Sequence, residues 1–229
     1  AARFVPDGLT VQVVTGAGPD GTPVIIILPT WSGSRGEADT HIAPFLKLGT
    51  VLSNTVGTVR YGASVAVFDP AIVNGQRVFM ETCLLPVLDA VGIDMLLKAM
   101  ASAPSAGCSI ITHEFKGAAS RVPLDTTAFG LRRDHVLIEI LASFDDGSGM
   151  EEERRHRQWV REAREAFASI ALPGGYPNML GEGEVARAAA SFGRNAERLL
   201  GAKRLYDPNK VFRSAIPLPI VAEARAREA

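Results

Sequence analysis

The chain has 229 residues, enough to bury one sizeable hydrophobic core in one or two domains. Hydrophobic residues make up 47% and charged residues 21%, and the formal net charge is −1, so no global field favours nucleic acid or an anionic membrane. No apolar run approaches the roughly 20 residues that span a bilayer. Cys83 and Cys108 lie far apart and predict buried reduced thiols, which favours a cytoplasmic protein.

The N-terminal part predicts a hairpin followed by a helix. The first residues carry neither an initiator methionine nor a signal-peptide pattern, and they are typical of the interior of a longer protein. Residues 9–15 and 23–28 read as two strands, because they are rich in β-branched residues and a Gly-Pro-Asp-Gly stretch separates them. Residues 37–48 carry apolar side chains at helical spacing and stop at Gly49.

The middle of the chain alternates strands with one helix. Residues 77–84, 109–115 and 135–144 are strand-like, and residues 87–103 form an amphipathic helix. The third of these strands is apolar on both faces, so we expect it inside a sheet and not at its edge.

The C-terminal part predicts two long helices and a closing turn. Residues 151–170 form a charged helix with an apolar stripe, and residues 182–200 form a second helix. The run Asp207-Pro208-Asn209 sets a tight turn, because proline fixes φ and Asp and Asn side chains bond to their own backbone. The turn is expected to fold four apolar residues back onto a core: Leu205, Tyr206, Val211 and Phe212.

This order of elements predicts an α+β fold. The crossovers are too few for a doubly wound parallel sheet, so an antiparallel or mixed sheet covered by helices on one side fits best. A ferredoxin-like split βαβ unit is the expected sub-architecture.

Several familiar catalytic patterns do not occur. The four histidines lack metal-ligand spacing, and the adjacent pair His113-Glu114 is best explained as a satisfied polar pair, so no metal is expected. No glycine-rich loop for a dinucleotide or a nucleoside triphosphate occurs. A hydrolase centred on Ser34 is a minor hypothesis. The run Gly33-Ser34-Arg35-Gly36 does not match the nucleophile-elbow pattern and is better explained as the start of a helix capped by Ser34.

The C-terminal motifs resemble a known family. Tyr176-x-Asn178, Phe192-Gly-x-Asn195-x-x-Arg198-Leu and Lys203-x-x-Tyr-Asp-Pro-x-x-x-Phe212 together resemble the C-terminal segment of berberine-bridge-enzyme-like, FAD-linked oxidases of the vanillyl-alcohol-oxidase-like superfamily. The stretch Gly117-Ala-x-x-Arg-Val to Thr-Ala-Phe-x-x-Arg132 and the opening Pro-Asp-x-Leu-Thr are similar to the substrate domain of the same oxidases. The resemblance implies a substrate-binding domain over residues 1–172. Residues 173–229 would form the C-terminal segment, which packs against an FAD-binding domain that this chain does not contain.

The resemblance also implies an activity. The complete protein would be an FAD-dependent oxidoreductase that oxidises a small organic molecule by hydride transfer to flavin, with FAD held mainly by the other domain. That domain and a small-molecule substrate are then the expected partners, with neither nucleic acid nor membrane. The alternative is a non-catalytic α+β binding or regulatory module without a cofactor.

The resemblance assigns roles to eight residues. Tyr176 is the expected catalytic base, provided that positive charge or hydrogen bonds lower its pKa from the usual value of about 10. Met179 stands where the family commonly has a second tyrosine. The flavin contacts would be Tyr176, Asn178, Met179 and Asn195, and the substrate contacts Tyr61, Arg121, Phe129 and Arg132.

Overall fold

A five-stranded sheet organises the chain. The computed structural model describes residues 6–18, 20–71, 74–181 and 183–213. The strands lie in the order β2-β1-β4-β5-β3, and every neighbouring pair is antiparallel. Their bounds are β1 Leu9–Ala17, β2 Pro23–Trp31, β3 Gln76–Leu85, β4 Cys108–Phe115 and β5 His135–Asp145. The predicted hairpin is present with longer strands, and β5 lies inside the sheet as expected.

The split βαβ unit is formed by β3, the helix α3 (Ala90–Ala101) and β4. Since β3 and β4 each pair antiparallel with β5, they run parallel to one another with β5 inserted between them. Helix α3 begins after Asp89, whose carboxylate accepts hydrogen bonds from the backbone N–H groups of Val91 and Gly92.

The hydrophobic core lies on one face of the sheet. Alternate residues of β4 and β5, among them Ile110, Ile138 and Ile140, pack against α3 and against the helix α4 (Met150–Ala166). Trp159 of α4 is buried there, and its indole N–H donates to the carbonyl oxygen of Ala99 over 2.8 Å. Helices α3 and α4 therefore cover one face of the sheet, and the predicted α+β class is confirmed.

The prediction of one helix over residues 182–200 is wrong. Helix α5 (Val185–Phe192) ends at Gly193, whose φ of 48° is a conformation that favours glycine, and α6 (Ala196–Tyr206) follows after a 3₁₀ turn. The helix predicted over residues 37–48 is also shorter. There α1 (Arg35–Ile42) gives way to a 3₁₀ turn at Ala43–Lys47.

A short helix that the sequence pattern did not predict, α2 (Tyr61–Val65), follows α1. Around it lies an extended segment, residues 43–69, which we call the apolar arm. It carries only three charged residues: Lys47, Arg60 and Asp69. Its exposed large apolar side chains are Leu46, Leu48, Val51, Leu52, Val56, Val59, Tyr61, Val65 and Val67.

The closing turn forms as predicted, but its apolar flanks do not reach a core. The Asp207 carboxylate accepts hydrogen bonds from the backbone N–H groups of Val211 and Phe212. The four flanking side chains are between 70% and 81% exposed: Leu205, Tyr206, Val211 and Phe212. They therefore reach no core within the described residues, because the turn projects them outward.

Both cysteines are free and buried, as the sequence predicted. Burial raises the pKa of the Cys83 thiol to about 12 and also raises the pKa of Cys108.

We expect iodoacetamide at about pH 8 to leave both thiols of the native protein unmodified and to alkylate both in urea, because the thiolate is the reactive form. Mass spectrometry measures the adducts, and rapid alkylation of the native protein would contradict the burial.

Candidate functional site

The sheet face opposite α3 and α4 is partly open. Register places Ile111 beside Glu139 and His113 beside Leu137, and all four side chains point away from α3 and α4. Ile111, His113 and Leu137 are only half-buried. We call this surface the open face. An apolar sheet surface with polar groups embedded in it is typical of a binding or docking site.

A chain of three polar side chains crosses the open face. The Gln12 carboxamide N–H donates to Nδ1 of His113 over 3.2 Å, and Nε2 of His113 lies 3.0 Å from Oε2 of Glu139. Because Nδ1 accepts a hydrogen bond, the imidazole proton is on Nε2 and is donated to the carboxylate. Glu139 is only 8% exposed, so its side chain is buried and has one oxygen engaged by the His113 ring.

Glu139 belongs to none of the sequence motifs. His113 contacts Glu139 and not its neighbour Glu114, whose carboxylate forms an ion pair with Lys116 at 3.2 Å and accepts the backbone N–H of Val11. The available signal was an acidic residue in the middle of the apolar run His135-Val-Leu-Ile-Glu-Ile-Leu. A charge is rarely placed in a buried strand without a partner or a role.

Thr82 adds a second polar group beside Glu139. The two residues are directly paired between β3 and β5 and share the open face. The Thr82 hydroxyl is buried, and among the described residues it has no hydrogen-bond partner. A buried polar atom without a hydrogen bond lowers the stability of the folded protein, and a bound molecule or water can supply the missing partner.

A cavity of about 760 Å³ opens at one end of this face, where Phe115 pairs with His135. Burial lowers the pKa of His135, whose ring stacks on Phe115 at 4.5 Å, so this imidazole is neutral near pH 7. The cavity is lined by Phe115, Ala128, Phe129, Arg132, Tyr176, Pro177, Asn178, Leu180, Ala188 and Phe192.

Tyr176 and Asn178 enter the cavity from the loop before α5. A 3₁₀ turn at Pro177–Met179 places them on the same side, and the Asn178 carboxamide donates to the Tyr176 hydroxyl oxygen over 3.3 Å. The Tyr176 ring meets the Phe129 ring edge-on, with centroids 6.4 Å apart and planes at 80°. Among the described residues, no basic side chain donates a hydrogen bond to the Tyr176 oxygen.

Arg132 forms the polar corner of the cavity. Its guanidinium lies over the Phe129 ring, 5.2 Å from the centroid, and donates to the Ala119 carbonyl and the Thr127 hydroxyl. Its Nε–H is buried and has no acceptor among the described residues. The cavity therefore combines aromatic walls with a cationic side chain.

The structure brings four of the eight predicted site residues together. Tyr176, Asn178, Phe129 and Arg132 all line this cavity, although they come from segments more than 40 positions apart in the sequence.

The other four predicted residues lie outside the cavity lining. Tyr61 begins α2 on the apolar arm and is 85% exposed, while the exposed Arg121 is ion-paired with Asp7 at 2.5 Å. Met179 is half-buried in the turn between Asn178 and Leu180. Asn195 is buried behind the wall, where its carboxamide donates to backbone carbonyls. Their flavin and substrate roles stay predictions.

The Ser34 hydroxyl is engaged by a carboxylate. It donates to Oε2 of Glu37 over 2.6 Å, so Ser34 occupies the N-cap position of α1 without a side-chain bond to the helix backbone. In the described part of the chain, no three His, Cys, Asp or Glu side chains come together as a metal-binding group. No helix among the described residues is long and apolar enough to cross a membrane.

The C-terminal part of the chain matches a known protein family. Residues 175–219, which include the Tyr176 loop and both C-terminal helices, match the family model described as Berberine and berberine like. These residues supply one wall of the aromatic cavity. The resemblance to the C-terminal part of FAD-linked oxidases of the berberine-bridge type is thus confirmed.

Two curated relatives are FAD-linked oxidoreductases. The chain is 26% identical over 193 residues to the uncharacterized FAD-linked oxidoreductase YgaK of Bacillus subtilis, covering 82% of this chain and 41% of that protein. It is 26% identical over 214 residues to the FAD-linked oxidoreductase aurO of Gibberella zeae, covering 91% and 41%. The chain therefore spans about two-fifths of the length of these relatives.

Solved structures share the fold. BBE-like #28 from Arabidopsis thaliana superposes with a TM-score of 0.79 at 17% identity, covering 96% of this chain and 52% of that chain. Berberine bridge enzyme from Eschscholzia californica gives 0.73 at 19% identity, with coverage of 96% and 50%. For 6-hydroxy-D-nicotine oxidase from Arthrobacter nicotinovorans the TM-score is 0.74 at 20% identity, with coverage of 94% and 48%.

Proposed function

We propose that this chain forms the substrate-side wall of the flavin site in an FAD-dependent oxidoreductase that oxidises a small organic molecule. The observation that supports this most strongly is the shared position of two features. The buried Glu139–His113 pair and the aromatic cavity with Tyr176 lie on the same open face of the sheet.

The cavity suits one end of a flavin. Its aromatic walls match a planar ring system, and the Asn178 carboxamide is a donor for a ring carbonyl oxygen. FAD, when bound, supplies a hydride acceptor. The described residues contain no loop for its pyrophosphate, so we assign that part to a separate FAD-binding domain of the complete protein.

Glu139 is the better proton acceptor of the two candidates. It is a carboxylate with one oxygen engaged by His113, and its surroundings are shielded from bulk water. Among the described residues, the Tyr176 oxygen accepts a hydrogen bond from the Asn178 carboxamide and from no cationic side chain. We therefore propose that Glu139 takes the substrate proton and that Tyr176 orients the bound ring.

Two exposed apolar surfaces support docking on the FAD-binding domain. The apolar arm carries nine exposed large apolar side chains and three charges, and the C-terminal patch (Leu205, Tyr206, Val211 and Phe212) lies next to the closing turn. Exposed apolar surfaces of this kind mark interaction sites. Docking there would also bring Tyr61 into the interior of the complete protein. The reduced thiols are compatible with the cytoplasm.

The visible absorbance of the complete protein distinguishes the proposed oxidoreductase from the alternative, a non-catalytic module. Protein prepared from the complete gene is expected to show the visible absorbance of oxidised flavin. Leu52→Glu in the apolar arm should reduce the flavin content of that protein, because a charge then faces the FAD-binding domain. Lys98→Glu on α3, an exposed site on the helical side, serves as the control. A colourless protein from a gene that begins near Ala1 would contradict the proposed function.

A further inference from the structure

Both walls of the aromatic cavity are fastened to one short stretch of chain, residues 191–195. One wall is the loop 124–132, which carries Phe129, and the other is the loop 174–180, which carries Tyr176. We propose that Ser191 and Asn195 fix the separation of these walls, and that Asn195 is a positioning residue that acts through Phe129. The effect on catalysis rests on the proposed function, whereas the hydrogen bonds that hold the two loops do not.

Asn195 holds the first wall with both of its side-chain N–H groups. The carboxamide nitrogen donates to the Leu124 carbonyl over 2.7 Å and to the Thr127 carbonyl over 3.1 Å. Asn195 is 6% exposed, so water does not replace these bonds readily. The backbone N–H of Gly130 donates to the Ser191 carbonyl over 3.0 Å and closes the same wall.

Gly130 allows the first wall to touch α5 directly. A Cβ at this position would lie 2.4 Å from the carbonyl carbon and oxygen of Phe192, far inside any real contact. Any side chain at position 130 would therefore push the loop away from α5. Because Phe129 and Phe192 both line the cavity, such a shift would change its width.

Ser191 holds the second wall. Its hydroxyl oxygen accepts the backbone N–H of Gly175 over 2.9 Å and donates its own proton to the Arg187 carbonyl over 2.8 Å. Gly174, with φ of +87°, packs so closely that a Cβ there would lie 2.9 Å from the Ser191 nitrogen. Tyr176 follows directly, so its ring position depends on this contact.

Conservative substitutions test the hydrogen bonds of Asn195 and those of Ser191 separately. Asn195→Asp keeps the shape but puts one carboxylate oxygen in place of the amide nitrogen, facing two carbonyl oxygens, so both N–H donors are lost. We expect amide exchange at Gly130, measured by NMR in the complete protein, to rise roughly tenfold or more, and the Phe129–Tyr176 ring contact to weaken. Ser191→Ala should instead accelerate exchange at Gly175 and leave Gly130 protected, because the Ser191 carbonyl remains.

The control is Gln158→Glu, the same amide-to-acid change on the exposed side of α4. It should alter neither exchange nor the long-wavelength absorbance band of bound flavin, whereas Asn195→Asp should shift that band. If Asn195→Asp does not fold, Asn195→Ser, whose shorter side chain adds no charge, also removes both bonds and should raise exchange at Gly130.

Wild-type exchange at Gly130 in Asn195→Asp, or in Asn195→Ser if that variant is used, would overturn the positioning role. Exchange does not depend on flavin. A colourless protein with the expected exchange pattern would thus contradict the proposed function alone, and a yellow variant with unchanged exchange would contradict the positioning role alone.

Discussion

Glu139→Gln is expected to slow flavin reduction by the substrate about 10²–10⁴-fold in the complete protein, the range typical of a lost general base. Glutamine keeps the shape of the side chain, and its carbonyl oxygen still accepts the His113 Nε2–H. The hydrogen-bond chain from Gln12 therefore survives, while the ability to accept a proton is lost. Anaerobic stopped-flow absorbance measures the reductive step directly.

Two comparisons sharpen this prediction. Glu165→Gln, an exposed carboxylate in the last turn of α4, should leave the rate unchanged. Tyr176→Phe should have a smaller effect than Glu139→Gln if the tyrosine orients the ring without taking the proton. If instead Tyr176→Phe abolishes reduction and Glu139→Gln is as fast as wild type, the base is the tyrosine and our assignment is wrong.

The second large effect is expected from Arg187→Ala, which should lower the free energy of unfolding by about 3 kcal/mol. The Arg187 guanidinium donates to the Thr82 carbonyl on the edge of β3 over 2.5 Å, donates to the Gly174 carbonyl over 3.2 Å, and forms an ion pair with Glu184. It thereby fastens the C-terminal segment to the sheet. Its removal leaves Glu184 near Glu81, whose pKa burial already raises.

Urea unfolding measures the loss, and amide exchange shows where it occurs. Exchange should accelerate over residues 174–192 and remain slow in β4 and β5. Arg154→Ala removes a fully exposed ion pair with Glu151 in the first turn of α4, and we expect a much smaller loss of stability because solvent screens such pairs. Equal effects from the two substitutions would show that Arg187 is not an anchor.

Local patterns predicted much of the fold. Alternating and β-branched runs located all five strands, and the helical spacing of apolar residues located α3 and α4. The break at Gly193 was missed, because a single glycine in a helical pattern does not reveal its φ angle. The turn at Asp207 was recognised, but the outward direction of its apolar flanks depends on tertiary packing.

The site was predictable where its residues belong to motifs. Tyr176, Asn178, Phe129 and Arg132 follow from the family resemblance, and the fold brings them to one cavity. The Gln12–His113–Glu139 chain was not predictable in this way. Its members lie on three strands, more than 25 positions apart, and only the register of β1, β4 and β5 places them side by side.

The outer strand β2 has a consequence for handling the chain in isolation. It lies at the edge of the sheet, and its nine residues, Pro-Val-Ile-Ile-Ile-Leu-Pro-Thr-Trp, contain no charge, with Ile25 and Ile26 exposed. Such an edge is a template for strand pairing between molecules, and only Pro23 and Pro29, which lack an N–H, interrupt it. Self-association of the separated chain should therefore begin at β2. The substitution Ile25→Lys should suppress it, because a charged side chain on an edge strand opposes pairing between molecules.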